Sequence, residues 1–375
     1  MSKTKIPPKV IQTLWVVAGG RCEFDGCNQP LWYDILTKKG CNSAYIAHII
    51  ADEPGGPRGD AVLSKQKCKD IDNLMLVCDT HHRMIDNREN VSTYTVEVLT
   101  HMKKVHEQRV EYLTSLKNKN LTHIVFYTPN TGSNILHINP EHAIDAVLPE
   151  YYPAEKTPIE LSCSNSAYTD DENKFWEYER EQLIKKYQNR VKSSIESGEI
   201  KHLSVFALAP QPLLIELGRQ ISDIQPAVIY QKHREPDTWK WLEEPNAFDY
   251  LIEEPESIYP TVALNLSLSG KIDNGRITSV LGSNTSIWTI TIENPNNDFI
   301  KNQTRISLFR EKMRYVFNRI KAVHGQNSKL HIFPACPISI SIEIGRVWMP
   351  KADLPMKLYD QNNKHNKFIY TFDIT

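Results

Sequence analysis

The sequence has no apolar run approaching the roughly 18 residues that a membrane-spanning helix needs, so no span is expected. It also lacks any excess of charge. With 44 Lys and Arg against 45 Asp and Glu the net charge is -1, so no chain-wide basic field announces a nucleic-acid binder, and any such contact has to be local. A phosphate-binding loop of the GxxxxGK[ST] type is missing, which argues against ATP-driven work. The first twenty residues carry a short apolar stretch. It runs into Gly19, Gly20, Arg21 and Cys22 with neither a small-residue cleavage site nor a stop-transfer pattern, so the expected location is the cytoplasm, away from any membrane.

What is present is an ordinary globular composition, 40% hydrophobic and 24% charged, over 375 residues. That length exceeds what one hydrophobic core usually supports, so two or three domains are expected. The seven cysteines are unevenly placed. Cys22, Cys27, Cys41, Cys68 and Cys78 fall early, while Cys163 and Cys336 stand alone. An odd count clustered in this way, with no secretion signal, favours a metal site over a disulfide framework.

Cys22 and Cys27 in RCEFDGCNQPLW form one knuckle, and Cys78 and His81 in NLMLVCDTHHRMID form a second. Both lie in turn-like polar sequence. Four soft ligands on two turns suit tetrahedral zinc in a structural role. Cys41 and Cys68 remain alternatives for one of the four. Between the knuckles, YIAHIIADEPGGPRGD reads as an apolar strand carrying His48 that breaks into a Pro- and Gly-rich loop. In DNLMLVCDTHHRMID, Asn73 precedes a second strand and His82 opens a helix.

His, Asn and His in that order over two strands and a helix resemble the HNH, or ββα-metal, nucleases, through AHI, GGPRG, DNLMLVC and HHRMID. The resemblance implies a DNA endonuclease that uses Mg2+ or Mn2+ on double-stranded DNA. It makes His48 the general base and His82 a ligand of the catalytic cation. Asn73 either fixes the loop and the orientation of His48 or lends an oxygen to the ion. A base must deprotonate water, and a divalent cation must absorb charge on the phosphate. An imidazole near its unperturbed pKa of about 6.5 suits the first task. His81 and His82 should face different sites, since neighbouring helical positions point roughly 100° apart. One departure stands out: many HNH enzymes carry a ligand just before the base, where this chain has Ala47. Asp52, Asp72 and Asp86 are candidate replacements. Arg58 is read equally as a loop anchor or a phosphate contact. The stretch from Thr95 to Lys119 has helical spacing, with Val98, Met102, Val105 and Val110 inward and Lys103, Lys104 and Arg109 outward.

The remainder repeats itself. LSVFALAPQPLLIELGR and LHIFPACPISISIEIGR align without a gap, so that Phe206, Pro210, Glu216, Gly218 and Arg219 match Phe333, Pro337, Glu343, Gly345 and Arg346. This indicates an internal duplication, each copy a strand, a Pro-containing loop, a helix and a strand. Gly218 and Gly345 are expected at tight turns. Strands HIVFY and PIELSC precede the first copy, TVALNLSLSG and SIWTITIE the second, and a long helix follows each set. Alternating strands and helices imply Rossmann-like α/β units with ligand loops beyond the carboxyl ends of the strands.

FALAPQPLLIELGR, the WKW of Trp239 to Trp241, and FPACPISISIEIGR resemble the SAVED domain, a fused pair of CARF-like units that binds cyclic oligonucleotides. The fold expected is therefore a multidomain α+β and α/β chain: an HNH domain with zinc knuckles over 1–118 and a SAVED domain over 119–375, its halves about 119–250 and 251–375. That layout resembles effector nucleases of bacterial CBASS anti-phage defence. It implies a cyclic di- or trinucleotide activator, and a homo-oligomer that passes from a dimer to a larger assembly such as a tetramer. Bases need flat partners and phosphates need donors. The candidates are Pro210, Gln211, Tyr230, Lys232, Arg234, Trp239, Ser267, Ser269, Lys271, Pro337, Lys357, Tyr359 and Lys364. Two competing readings are a restriction-type HNH endonuclease, against which the missing basic stripe counts, and a zinc-bearing nucleic-acid-binding module without catalysis.

Overall fold

The computed structural model describes residues 4–115, 120–129, 137–162, 168, 170, 172–243, 248–362 and 367–375; Cys163 and Lys364 lie outside them. The chain divides into two compact units, Met1–Lys117 and Asn118–Thr375.

In the first unit, helix α1 (Pro8–Val17) opens on a proline, whose fixed φ and missing N–H suit a first helical turn. Strands β1 (Ala44–His48) and β2 (Leu74–Cys78) pair antiparallel, Ala44 opposite Cys78 and His48 opposite Leu74. Every residue of β2 is buried. Short helix α2 (Leu63–Lys67) interrupts the connection between the strands. Helix α3 (Asp79–Asp86) follows β2 directly and packs on both strands, which completes a two-strand-and-helix motif.

Helix α4 (Val96–Ser115) closes the unit with a phase that differs from the expected one. It buries Leu99, Lys103 and His106, while Val98 and Val105 are exposed. The reason is polar. Lys103 reaches the buried Glu23 and also pairs with Glu107, and His106 donates from Nε2 to the Ala18 carbonyl at 2.9 Å. A buried charge needs partners, and these two anchor the inward face.

The second unit holds two α/β halves. The first runs β3 (Leu121–Tyr127), α5 (Pro140–Val147), β4 (Tyr152–Pro153), β5 (Ile159–Glu160) and α6 (Asn173–Tyr187). A π-helical turn (Gln188–Lys192) leads into α7 (Ser193–Glu196), followed by β6 (Leu203–Ala207), α8 (Gln211–Ile221) and β7 (Ala227–Ile229). The second runs β8 (Leu251–Glu253), β9 (Thr261–Ser267), α9 (Asn274–Leu281), β10 (Thr285–Thr291), α10 (Gln303–His324), β11 (Leu330–Ala335), α11 (Ile338–Val347), β12 (Met356–Asn362) and β13 (Lys367–Ile374). Their parallel cores share one order, β5-β3-β6-β7 and β10-β9-β11-β12. In the first half, the strand beside β3 is split into β4 and β5. In the second, antiparallel β8 and β13 flank an unbroken ladder. Strands covered on both faces read as continuous apolar runs, as β6 does.

The duplicated glycines are not at turns, contrary to expectation. Both lie inside helices, where α8 and α11 cross. A Cβ on Gly218 would stand 1.8 Å from the Ile342 carbonyl oxygen, and one on Gly345 would stand 1.9 Å from that of Ile215. Only glycine lets two backbones meet this closely. Leu213, Ile215, Ile340 and Ile344 around the crossing join the two halves into one core.

Candidate functional site

The turn after α1 and the junction of β2 with α3 bring Cys22, Cys27, Cys78 and His81 together, with all four ligand atoms within 4.8 Å of one another. His81 Nδ1 lies 3.2 Å from Cys78 Sγ and 3.5 Å from Cys22 Sγ. The Phe24 ring stacks on His81 at 4.0 Å and fixes its orientation. The knuckle is laced onto β2, because Glu23 N donates to the Leu76 carbonyl and the Glu23 carboxylate accepts from Leu76 N. Burial pushes the Cys22 thiol far above its ordinary range and holds His81 below its own. Three thiol sulfurs and an imidazole held towards its neutral form are a donor set that suits a soft divalent cation, and these four residues could hold one. Cys41 is exposed and Cys68 directs its Sγ to the Lys65 carbonyl, so neither belongs to the cluster.

The nuclease candidates lie on the same motif. His48 ends β1 and is buried, with Nε2 3.0 Å from the Cys68 carbonyl oxygen. A carbonyl can only accept, so Nε2 carries the proton and the lone pair of the neutral ring is on Nδ1. Buried Asn73 stands at the entrance to β2. Its Oδ1 accepts from Ile50 N at 2.8 Å, and its Nδ2 donates to the Ile50 and Lys67 carbonyls. That side chain ties the loop after His48 to the segment that carries Cys68. Arg58 is a loop anchor: it donates to the Ile49 and Ile85 carbonyls and lies 3.7 Å from Asp86, with its side chain 3% exposed. His82 is not part of the Cys and His cluster; it packs beside Tyr45 and stands 3.5 Å from Asp86. His82 and Asp86 form a pair only. Among the described residues, no second convergence of three or more His, Cys, Asp or Glu ligands is found.

In the second unit, several expected ligand residues prove to be core. Tyr230 stacks on Phe206 at 4.4 Å and Tyr359 on Phe333 at 4.4 Å, the same pair in both halves; Trp239 meets Phe206 edge-on. All three are at most 5% exposed, so none offers a face to a base. Ser267 is also spent internally, donating to Asn265 Oδ1 and accepting from Ile272 N. Lys357 sits at the start of β12, opposite His331, at the far end of the sheet from the carboxyl-end loops. Those loops do carry the others. Pro210 and Pro337 precede α8 and α11, with Pro337 buried. Ser269 N donates to the Ala335 carbonyl, Lys271 and Arg234 are exposed, and Lys232 pairs with Asp237.

Gln211 Oε1 accepts from Cys336 N at 2.9 Å, so this candidate stitches the halves together. Buried Gln231, which no sequence pattern singles out, does the same through Ser339 N and Oγ. The repeated Glu and Arg form matched buried networks. Glu216 receives Arg180 and Arg219, and Glu343 receives Arg310 and Arg346. Their signal in the sequence is the gap-free repeat itself. Trp241, half-buried, lines a cavity of about 700 Å³ with Lys240, Leu242, Leu148 and Pro149.

A metal-competent ββα unit followed by a duplicated α/β unit fused through its helices defines a two-part, sensor-type architecture. The chain belongs to the SAVED family, the SMODS-associated and fused to various effectors sensor domain, whose pattern matches residues 183–374. Similar solved structures include the Acinetobacter baumannii Cap4 SAVED/CARF-domain containing receptor with the cyclic trinucleotide 2'3'3'-cAAA, at 14% identity over 84% of this chain and 66% of that one, TM-score 0.45. The same receptor with 3'3'3'-cAAA has 13% identity over 84% and 67%, TM-score 0.45. The Moraxella osloensis Cap4 receptor has 13% identity over 78% and 60%, TM-score 0.42. The chain thus spans about two thirds or less of these receptors' length. No curated protein matches it.

Proposed function

We propose that the chain is a cyclic-oligonucleotide-activated, metal-dependent DNA endonuclease of the HNH type, an effector of bacterial CBASS defence, with zinc at the Cys22, Cys27, Cys78 and His81 cluster. One observation carries the nuclease reading: the proton on His48 Nε2 is fixed by a carbonyl, which leaves Nδ1 as a base on a ββα motif whose Cys and His cluster could hold a metal. In this reading His48 Nδ1 takes a proton from the attacking water. Asn73 keeps the His48 loop rigid, and Arg58 braces that loop against α3. His82, with Asp86 beside it, would hold Mg2+ or Mn2+. Two donors fit a cation that keeps most of its waters. When bound, such an ion supplies positive charge against the phosphate and the leaving 3'-oxygen.

The activator is a cyclic di- or trinucleotide taken up by the carboxyl-end loops of the duplicated unit. Ser269, Lys271, Lys232 and Arg234 offer donors for phosphates, and Pro210, Gln211 and Pro337 shape the loops. The family's sensor role supports this. Binding shifts the protein to a larger homo-oligomer and so brings two cutting sites onto one duplex. Population arithmetic allows it: going from 1:99 to 99:1 takes about 5.5 kcal/mol, under half of what nanomolar binding supplies. The test is plasmid digestion with Mg2+, with and without a panel of cyclic di- and trinucleotides, alongside light scattering. Cleavage should require one member of the panel and the metal. Full cleavage by ligand-free protein removes the switch, and activation at unchanged molar mass removes the assembly step.

A further inference from the structure

We infer that α2 and the turn after it, carrying Lys65, Lys67 and Lys69, grip the phosphate backbone of duplex DNA and hold it against His48; this rests on the nuclease reading of His48. The backbone of the segment is pinned to the catalytic machinery. The Cys68 carbonyl accepts from His48 Nε2, and the neighbouring Lys67 carbonyl accepts from Asn73 Nδ2 at 3.2 Å. Ser64 is buried and accepts from Asp60 N at 3.0 Å. The lysine side chains are not pinned. Lys65 and Lys69 are exposed, Lys67 is half-buried, and among the described residues none has an ion-pair partner.

Three other cations of the unit are paired instead. Lys103 meets Glu23 and Glu107, Arg83 meets Asp79, and Arg58 meets Asp86. Asp60, Asp70 and Asp72 equal the three lysines in number, but among the described residues none of them pairs with a lysine: Asp60 accepts from the Val62 and Leu63 N–H groups and Asp70 from that of Asp72. A rigid stem with free ammonium heads, one residue from the carbonyl that orients the base, suits a polyanion that must be held in register with that base. On a chain with no net basic field, unpaired ammonium heads placed beside the base offer the local contacts that a phosphate backbone can use.

The test compares the full-length protein with its K65Q/K69Q and K65R/K69R variants. Binding of a fluorescein-labelled DNA duplex is followed by anisotropy over a salt series, and cleavage is measured with Mg2+ and the panel of cyclic di- and trinucleotides. K65Q/K69Q should bind about tenfold more weakly, and its slope of log K against log salt should flatten by about 0.9 for each phosphate no longer neutralised. KM for DNA should rise while kcat at saturating DNA is kept, the melting temperature should not move, and K65R/K69R should restore binding. A wild type that cuts DNA beside a K65Q/K69Q variant with the same affinity and salt slope overturns the grip and leaves the nuclease standing. A wild type that binds no duplex overturns both.

Discussion

The two units hold themselves together by different means. Among the described residues, the core cluster of the first unit has thirteen buried members, two of which, Cys22 and Cys78, are also metal-ligand candidates. The main cluster of the second has 47 and joins both of its halves. With so small an apolar core, the first unit has the more to gain from a metal at that cluster. The same difference governs where chemistry can be read: rare residue types mark the first unit, while packing geometry decides the second.

Removing one ligand of that cluster should break the comparison most sharply. Cys78→Ala is expected to cost the first unit about 10 kcal/mol if zinc sits in the cluster, comparable to the whole stability of a domain. Hydrogen exchange should show Met1–Lys117 unfolded and the second unit protected. Elemental analysis that finds no zinc in purified wild type refutes the premise.

Next in size is the base. His48→Ala should slow cleavage by about 10²- to 10⁴-fold, some 3 to 5 kcal/mol of barrier, with little change in melting temperature. Retained DNA binding would separate an enzyme from a binding module. A variant that cuts at near-normal rate would mean that the base lies elsewhere.

The third perturbation strikes the second unit alone. Gly345→Ala drives a methyl group into the Ile215 carbonyl and should cost about 3 kcal/mol. Gly218→Ala should cost as much, because the crossing is two-fold. The half-buried Gly270, whose Cβ would meet nothing within 4 Å, is the control, and Gly270→Ala should be near neutral. Equal melting temperatures for all three variants would contradict a backbone-to-backbone crossing.

The two cysteine-histidine knuckles and the strand, helix and repeat pattern are legible in the sequence because spacing and residue type suffice for them. The phase of α4 is not: Val98 and Val105 look inward by periodicity, but the buried Lys103 and His106 find partners in Glu23 and Ala18, about eighty or more residues away in sequence. Gly218 and Gly345 stand out in the repeat, yet only the crossing of two distant helices explains them. Tyr230 and Tyr359 suit ligand platforms by sequence, because aromatic residues beside lysines suit nucleotides. Their stacking on Phe206 and Phe333 is a tertiary fact, although the repeat already places those phenylalanines at equivalent positions.

The smallest expected effect is a loss of stability on acidification that belongs to the second unit. Burial, aided by Arg346, pushes His202 down to about 4, and burial, aided by Lys357, does the same to His331. His202 Nδ1 is 2.8 Å from Thr122 Oγ1 and its ring lies flat on Tyr151; His331 Nδ1 is 2.9 Å from the Tyr359 hydroxyl. In the unfolded chain both titrate near 6.5. Between about pH 6.5 and 4 the unfolded state therefore binds more protons than the folded one, so stability is complete above 6.5 and declines as the pH falls towards 4. Each histidine should contribute on the order of 1 kcal/mol to that decline, once solvent screening of these partly exposed groups is allowed for. Hydrogen exchange in β6 and β11 should accelerate from pH 7 to pH 5 after correction for the intrinsic pH dependence of exchange. A His202→Gln, His331→Gln double variant should lose most of that acceleration. If it keeps the full acid sensitivity of the wild type, other groups are responsible and these two histidines are protonated in the folded state.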